Sequence, residues 1–238
     1  MTCFDIGLSL AQKETAAVDC PNLHIVPLPE TAAIAKVKDA FSGAAPLAKV
    51  NKRVWPLWLC PFLIAEAPYQ RVFWLDCDII VLRNLKDLFR FLDDGPVFTR
   101  ENNAPEVTPN KPSLYGLLPI HRLFDPFEPR LNGGVSGWDL LRDSAVLDAY
   151  MFPILRACDD QRISEAISWH DQGALIWAVQ KMGLQHRVLD SNIWNLCVRH
   201  TPLIQRPIAW GEFFLAHVRE AVPSANLLHW NGTQVPWL

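Results

Sequence analysis

The stretch RVFWLDCDIIVLRNL, residues 71–85, decides the fold. Two carboxylates one residue apart, Asp76 and Asp78, are flanked by Val72, Phe73, Trp74 and Leu75 before them and by Ile79, Ile80, Val81 and Leu82 after. A run so rich in β-branched and aromatic side chains reads as a buried strand. Buried aspartate is rare unless it is paired or holds a cation. Residues two apart on a strand point to one face, so the two carboxylates converge if the strand ends there. Two ionised carboxylates side by side repel, and a divalent metal relieves that repulsion. Open α/β sheets also bind ligands at the carboxyl ends of their strands, where LDCD falls. The alternative is that one aspartate caps the following turn and the other joins a surface ion pair.

Outward from this segment, short apolar runs alternate with helical patterns, which predicts α/β layering. LHIVPLP (23–29) reads as a strand closed by prolines. WPLWLCPFLIAEA (55–67) has helical spacing, with Pro61 in its first turn or bending it. In NLKDLFRFLDD, Leu85, Leu88, Phe89 and Leu92 share one helical face. LNGGVSGWDLL reads as a strand with a glycine pair, and residues 139–158 as a helix interrupted by Pro153. HDQGALIWAVQKMG (170–183) reads as a helix with Asp171 near its start and Gly183 as its stop signal. The terminal NLLHWNGTQVPWL is a short strand running into a turn. Residues 99–129, rich in proline, asparagine and charge, read as a long functional loop. No repeat or linker divides the 238 residues, so a single α/β domain is expected over 1–238.

Composition narrows the function. A net charge of −3 gives no reason to expect a nucleic-acid partner, and the short basic cluster KVNKR (49–53) reads as a solvated loop. Six cysteines without a C-x-x-C pair read as reduced thiols of a cytoplasmic protein. The N-terminal stretch has no charged and apolar leader pattern. The most apolar run, residues 54–65, is too short to span a bilayer and holds two prolines, so no transmembrane segment is expected.

Three further pieces carry chemistry. His229 follows an apolar strand and precedes a glycine turn, as a metal ligand or as a structural histidine. Oxygen ligands with one imidazole suit Mn²⁺ better than Mg²⁺, which stands as the alternative cofactor. Asn132 beside Gly133, Gly134 and Gly137 forms a strand whose backbone a ligand can approach closely, or a plain bulge. Asp171 and Gln172 stand at a helix start, where capping alone accounts for Asp171 and leaves Gln172 unexplained.

Taken in order, these pieces resemble the glycosyltransferases of family 8. VFWLDCDIIVLRNL looks like that family's D-x-D segment, LNGGV is similar to its N-A-G-V strand, and HDQGAL to its D-Q-D helix. HWNGTQVPW has the spacing of its terminal H-x-x-G-x-x-K-P-W motif, and CFDIGLSLAQKETAAV looks like its second strand and following helix. The resemblance implies a single GT-A-type domain, a mixed central sheet flanked by helices. It implies a transferase that moves a hexose from a nucleotide sugar, UDP-hexose by family precedent, to a carbohydrate or glycoconjugate acceptor with retention of configuration. It further implies that Asp76, Asp78 and His229 hold Mn²⁺ on the donor diphosphate, with Asp76 also near the ribose and sugar. Asn132, Gly133 and Gly134 would line the sugar pocket, and Gly232 would let the backbone approach the phosphates. Asp171 would bind sugar hydroxyls, and Gln172 would stand near the anomeric face.

The chain departs from that pattern at three places. Val235 replaces the lysine that faces the diphosphate, with Lys181 or Arg199 as stand-ins, and Gly173 replaces the last letter of D-Q-D. The family's first strand, which binds base and ribose, has no counterpart, so the expectation is a fragment whose upstream sequence supplies another apolar strand, with an incomplete nucleotide pocket as the alternative. Two rival functions stand beside the transferase. A haloacid-dehalogenase-type phosphatase would use Asp76 as nucleophile, but wants its motif near the start of the chain and threonine or valine where Ile80 stands. A degenerate sugar-binding or scaffold protein would use some of the ten tryptophans as stacking platforms.

Overall fold

The computed structural model describes residues 1–42, 55–100, 118, 131–167, 171–198 and 212–230. In chain order its strands are β1 (Thr2–Asp5), β2 (His24–Pro27), β3 (Arg71–Leu75), β4 (Ile79–Val81), β5 (Val97–Arg100), β6 (Leu131–Asp139), β7 (Arg187–Leu189), β8 (Leu196–Cys197) and β9 (Leu227–His229). The α-helices are α1 (Leu10–Asp19), α2 (Ala32–Ser42), α3 (Cys60–Ala65), α4 (Ser144–Ala157), α5 (Gln161–Ala166), α6 (Asp171–Met182), α7 (Ser191–Trp194) and α8 (Glu212–Ala221). Among the described residues the strands form three sheets, in the orders β1-β2, β3-β6-β5-β7 and β4-β9-β8.

The glycine-rich strand takes the centre. All nine residues of β6 are buried, and it runs antiparallel to both β3 and β5, while β7 lies parallel to β5. Gly137 sits opposite Phe73. A Cβ there would lie 2.5 Å from Phe73 Cζ and 2.9 Å from Leu92 Cδ2, so only hydrogen lets that ring lie across the strand. Where Phe98 faces Ser136 the next β5 residue, Thr99, faces Asn132, leaving Gly133, Gly134 and Val135 without a β5 partner. This irregularity re-aims the middle of β6. Gly133 faces Tyr150 and Asp171, whereas Gly134 faces Asp76 and His229.

Helices α3, α4 and α6 cover the sheet. Val146, Leu147, Tyr150 and Ile154 of α4, with Leu175, Trp177 and Ala178 of α6 and Leu63 and Ile64 of α3, join Trp138 and Phe98 in one core. Burying a side chain of this size is worth about 1.5–3 kcal/mol, so several such contacts fix how the helices sit on the sheet. Pro61 stands in the first turn of α3, where its missing N–H costs nothing, as expected. The stop of α6 at Gly183, whose φ of +57° favours glycine, also follows the sequence.

Three expectations need correction. Pro153 does not interrupt its helix, since α4 runs through it from Ser144 to Ala157. Pro153 is itself buried between packed turns, and that packing outweighs the lost hydrogen bond. Residues Lys86–Asp93 form a 3₁₀ helix that buries Leu88 and Leu92, while Phe89 is exposed at 39 % and packs edge-on against Phe73. The run 71–85 is not one buried strand. It breaks at Asp76–Asp78 into β3 and β4, which belong to different sheets, and both carboxylates are only partly buried.

The first strands form a parallel pair joined through α1, whose start is a capping box between Ser9 and Gln12. The six cysteines are free thiols. No helix among the described residues is long and apolar enough to cross a membrane.

Candidate functional site

The break in the apolar run builds the site. The Ile79 N–H donates to the Asp76 carbonyl at 3.1 Å, turning the chain so that Asp76 directly follows β3 and Asp78 directly precedes β4. Strand β9 runs antiparallel to β4 with His229 opposite Ile79, and the Trp230 N–H donates to the Asp78 carbonyl at 2.9 Å. The ladder therefore brings a residue 151 positions downstream beside Asp78. His229 Nε2 lies 3.2 Å from Asp78 Oδ1. One donor atom each of Asp76, Asp78 and His229 lie within 4.8 Å of one another.

Asp76 and His229 are each held from behind. The Trp74 indole N–H donates to Asp76 Oδ1 at 2.9 Å, and the Asp76 N–H donates to the Gly134 carbonyl at 2.9 Å. His229 is buried, and its Nδ1 lies 2.8 Å from Asn195 Oδ1. The Asn195 amide nitrogen donates to Thr99 Oγ1 at 2.9 Å, so its oxygen faces the imidazole. That oxygen accepts, so Nδ1 carries the proton and the Nε2 lone pair points at the carboxylates, the tautomer a metal ligand needs. Burial pushes the Asp76 carboxyl up, and the Asp78 charge adds to this, while the Trp74 hydrogen bond and, whenever the imidazole is protonated, the His229 charge oppose it.

Gly134 makes the cradle. A Cβ there would lie 2.6 Å from Asp76 Oδ2, 2.9 Å from His229 Cε1 and 3.0 Å from Asn132 Oδ1. The Gly134 N–H donates to Asn132 Oδ1 at 2.9 Å, and the Asn132 amide reaches Gln172 Oε1 at 3.4 Å. The donor set of two carboxylates and one imidazole with a preset tautomer, closing on space only glycine leaves, fits a first-row divalent cation.

A third carboxylate stands behind Gly133. The Tyr150 hydroxyl donates to Asp171 Oδ2 at 2.5 Å, and the Cys60 thiol lies against both. Burial pushes the Asp171 carboxyl up to about 7, with the Asp76 charge adding to the rise and the Tyr150 and Cys60 contacts opposing it. Burial likewise pushes the Cys60 thiol and the Tyr150 phenol well above their usual values.

Of the residues singled out in the sequence, Asp76, Asp78, His229, Asn132 and Gly134 are brought together, Gln172 joins them through Asn132, and Gly133 with Asp171 stands alongside. Gly232, Val235 and Arg199, with most of the 99–129 loop and the KVNKR cluster, lie outside the described residues. Lys181 does not stand in for the missing lysine. Ten residues along α6 place it about 15 Å from Asp171, and its ammonium lies over the rings of Trp177 and Phe152 at 4.6 and 5.4 Å. Four participants went unread in the sequence: Trp74, Asn195, Tyr150 and Cys60. Each looks like an ordinary strand, helix-end or core residue until tertiary contacts are known.

No protein-family model matches the chain, and no curated protein matches its sequence. Solved structures do match. A galactosyltransferase, LgtC, in complex with donor and acceptor sugar analogs is similar at 14 % identity and a TM-score of 0.58, over 98 % of this chain and 76 % of that one. An active-site mutant of LgtC matches to the same extent. The apo bifunctional glycosyltransferase WbbM is similar at 12 % identity and a TM-score of 0.54, over 97 % of this chain and 40 % of that one. The fold is the GT-A type, a mixed α/β scaffold that these glycosyltransferases share.

Proposed function

We propose that the chain is a retaining hexosyltransferase, similar to family 8, that moves a hexose from UDP-hexose to a carbohydrate or glycoconjugate acceptor. The observation that carries this reading is the convergence of Asp76, Asp78 and His229 beside the glycines of β6 on a GT-A fold. The LgtC structure with donor and acceptor sugar analogs supports it, because that fold accommodates both ligands. The domain spans 1–238.

Asp76, Asp78 and His229 hold the cation, Mn²⁺ in preference to Mg²⁺ because one ligand is an imidazole. When bound, it supplies Lewis-acid neutralisation of charge on the leaving nucleoside diphosphate. Asn195 keeps the His229 lone pair aimed at that position, and Trp74 fixes the Asp76 carboxylate. Asn132, Gly133 and Gly134 line the sugar pocket, and Gly232 lets the backbone approach the phosphates. Asp171 binds sugar hydroxyls, and Asn132 orients Gln172 toward the anomeric face through their contact at 3.4 Å.

Release of UDP from a panel of UDP-hexoses tests this, with Mn²⁺, with Mg²⁺ and with a chelator, in the wild type and in Asp78→Asn. Turnover that needs Mn²⁺ and is lost in Asp78→Asn is expected. A wild-type chain that neither hydrolyses any donor nor gains stability from UDP with Mn²⁺ overturns the reading and leaves the scaffold function in its place.

A further inference from the structure

Tyr150 has the surroundings of a core residue and the partner of a functional one. It lies on α4, is 1 % exposed, and stacks on Trp138 with ring centroids 6.3 Å apart and planes 21° from parallel. Trp138 is fixed in turn by its indole N–H, which donates to Ser136 Oγ at 2.9 Å. A buried tyrosine usually finds an acceptor, most often a backbone carbonyl. Here the acceptor is Oδ2 of Asp171, at 2.5 Å. Gly133 lies against this pair, and a Cβ there would meet Asp171 Oδ2 at 3.4 Å and the Tyr150 hydroxyl at 3.5 Å, ordinary contact distances. The pair thus joins three elements, α4, α6 and the irregular part of β6, at the carboxylate that the proposed function assigns to the donor sugar.

We infer that Tyr150 is a positioning residue for the transfer reaction. Its hydroxyl holds one oxygen of Asp171 against the core and leaves the other oxygen with a fixed direction toward the donor sugar. The inference rests on the function proposed above. A hydroxyl on a stacked, buried ring has little freedom, so it fixes both the plane and the rotamer of the carboxylate it holds. It also stabilises the ionised form, which accepts hydrogen bonds from sugar hydroxyls. The other ionisable groups facing Asp171 are Cys60 from α3 and Asp76 from the β3–β4 turn. Neither replaces a phenol, since Asp76 is a like charge and a thiol is a weak donor.

Tyr150→Phe removes one oxygen and keeps the stacked ring. The stabilisation of the protein by UDP with Mn²⁺ is expected to stay at the wild-type value, because Tyr150 touches neither ligand site. Turnover of UDP-hexose is expected to fall about tenfold or more, the usual effect of losing a hydrogen bond to a charged group. The acid limb of its pH profile should move up by about one unit, because the carboxylate loses a donor that favours its ionised form. In an Asp171→Asn background the same change should cause no further loss. Site-specific 3-fluorotyrosine at position 150 keeps shape and packing with a more acidic phenol, and is expected to move the acid limb down. It keeps the question answerable if Tyr150→Phe does not fold. A Tyr150→Phe protein with wild-type turnover, or one whose loss is equal at every pH and persists in Asp171→Asn, overturns the inference alone. A wild-type chain without UDP stabilisation or turnover removes the proposed function and this inference with it.

Discussion

Asp171→Asn should make the protein more stable, and more so as pH rises. The Asp171 carboxyl titrates near 7 in the fold against a usual 3.8, because burial and the nearby Asp76 charge disfavour its ionised form. Below pH 4 both folded and unfolded chains hold this proton, and the group makes no difference. Between pH 4 and 7 the unfolded chain has released the proton while the folded one keeps it, so stability falls as pH rises. Above pH 7 the loss is complete and constant. A shift of about three units corresponds to about 4 kcal/mol. The residue keeps partial solvent access, which screens the charge and reduces the expected effect to about 2 kcal/mol. Asparagine is nearly the same shape, cannot ionise, and keeps an oxygen for the Tyr150 hydroxyl. The assay is the difference in melting temperature between Asp171→Asn and wild type, measured without ligand from pH 4 to pH 8. For a chain of this length about 2 kcal/mol is a shift of about 4–8 °C. The expected difference is near zero at pH 4, grows through pH 5–7 and levels off above. A difference that stays constant across that range, or a variant less stable at pH 8, refutes the reasoning.

Two further predictions concern the cation cradle. Gly134→Ala places a Cβ 2.6 Å from Asp76 Oδ2 and 2.9 Å from His229 Cε1, so it should cost about 1–3 kcal/mol in thermal stability and abolish stabilisation by Mn²⁺. Wild-type Mn²⁺ binding by calorimetry in that variant would show that the cradle lies elsewhere. Asn195→Ala frees the His229 ring without touching a ligand atom, and Mn²⁺ affinity should fall about 10–100-fold, as expected on losing a hydrogen bond that orients a metal-bound histidine. An unchanged affinity would show that Asn195 does not set the imidazole.

How much of this was legible in the sequence depended on how locally each feature is determined. Pro61 and Gly183 mark helix ends through their own backbone chemistry, and α3 begins and α6 stops where those residues direct. Pro153 misleads for the same reason. Its local preference is real, but α4 is held on both sides of it by burial against α6, a term no single residue reveals. The D-x-D segment shows the two effects together. Its apolar flanks announce strands, and the aspartates announce a site. What the one-dimensional pattern hides is that the flanks join different sheets, so period-two alternation does not carry across Asp76–Asp78.

That division between sheets also explains why the carboxylates are tolerated. A single strand through 71–85 would bury both of them among valine and isoleucine side chains, at a cost of several kcal/mol each without compensation. A turn at the seam leaves both partly open. It also sets the Asp76 N–H on the Gly134 carbonyl of one sheet and the Asp78 carbonyl on the Trp230 N–H of the other. The residues that complete the arrangement follow from the same seam. His229 arrives because β9 pairs with β4. Asn195 arrives because β8, which it precedes, pairs with β9. Thr99, which orders Asn195, comes from β5 of the other sheet. The candidate site therefore lies where the two sheets are tied to each other. Its residue types were readable one by one, but their meeting place depends on strand pairings between segments more than a hundred residues apart.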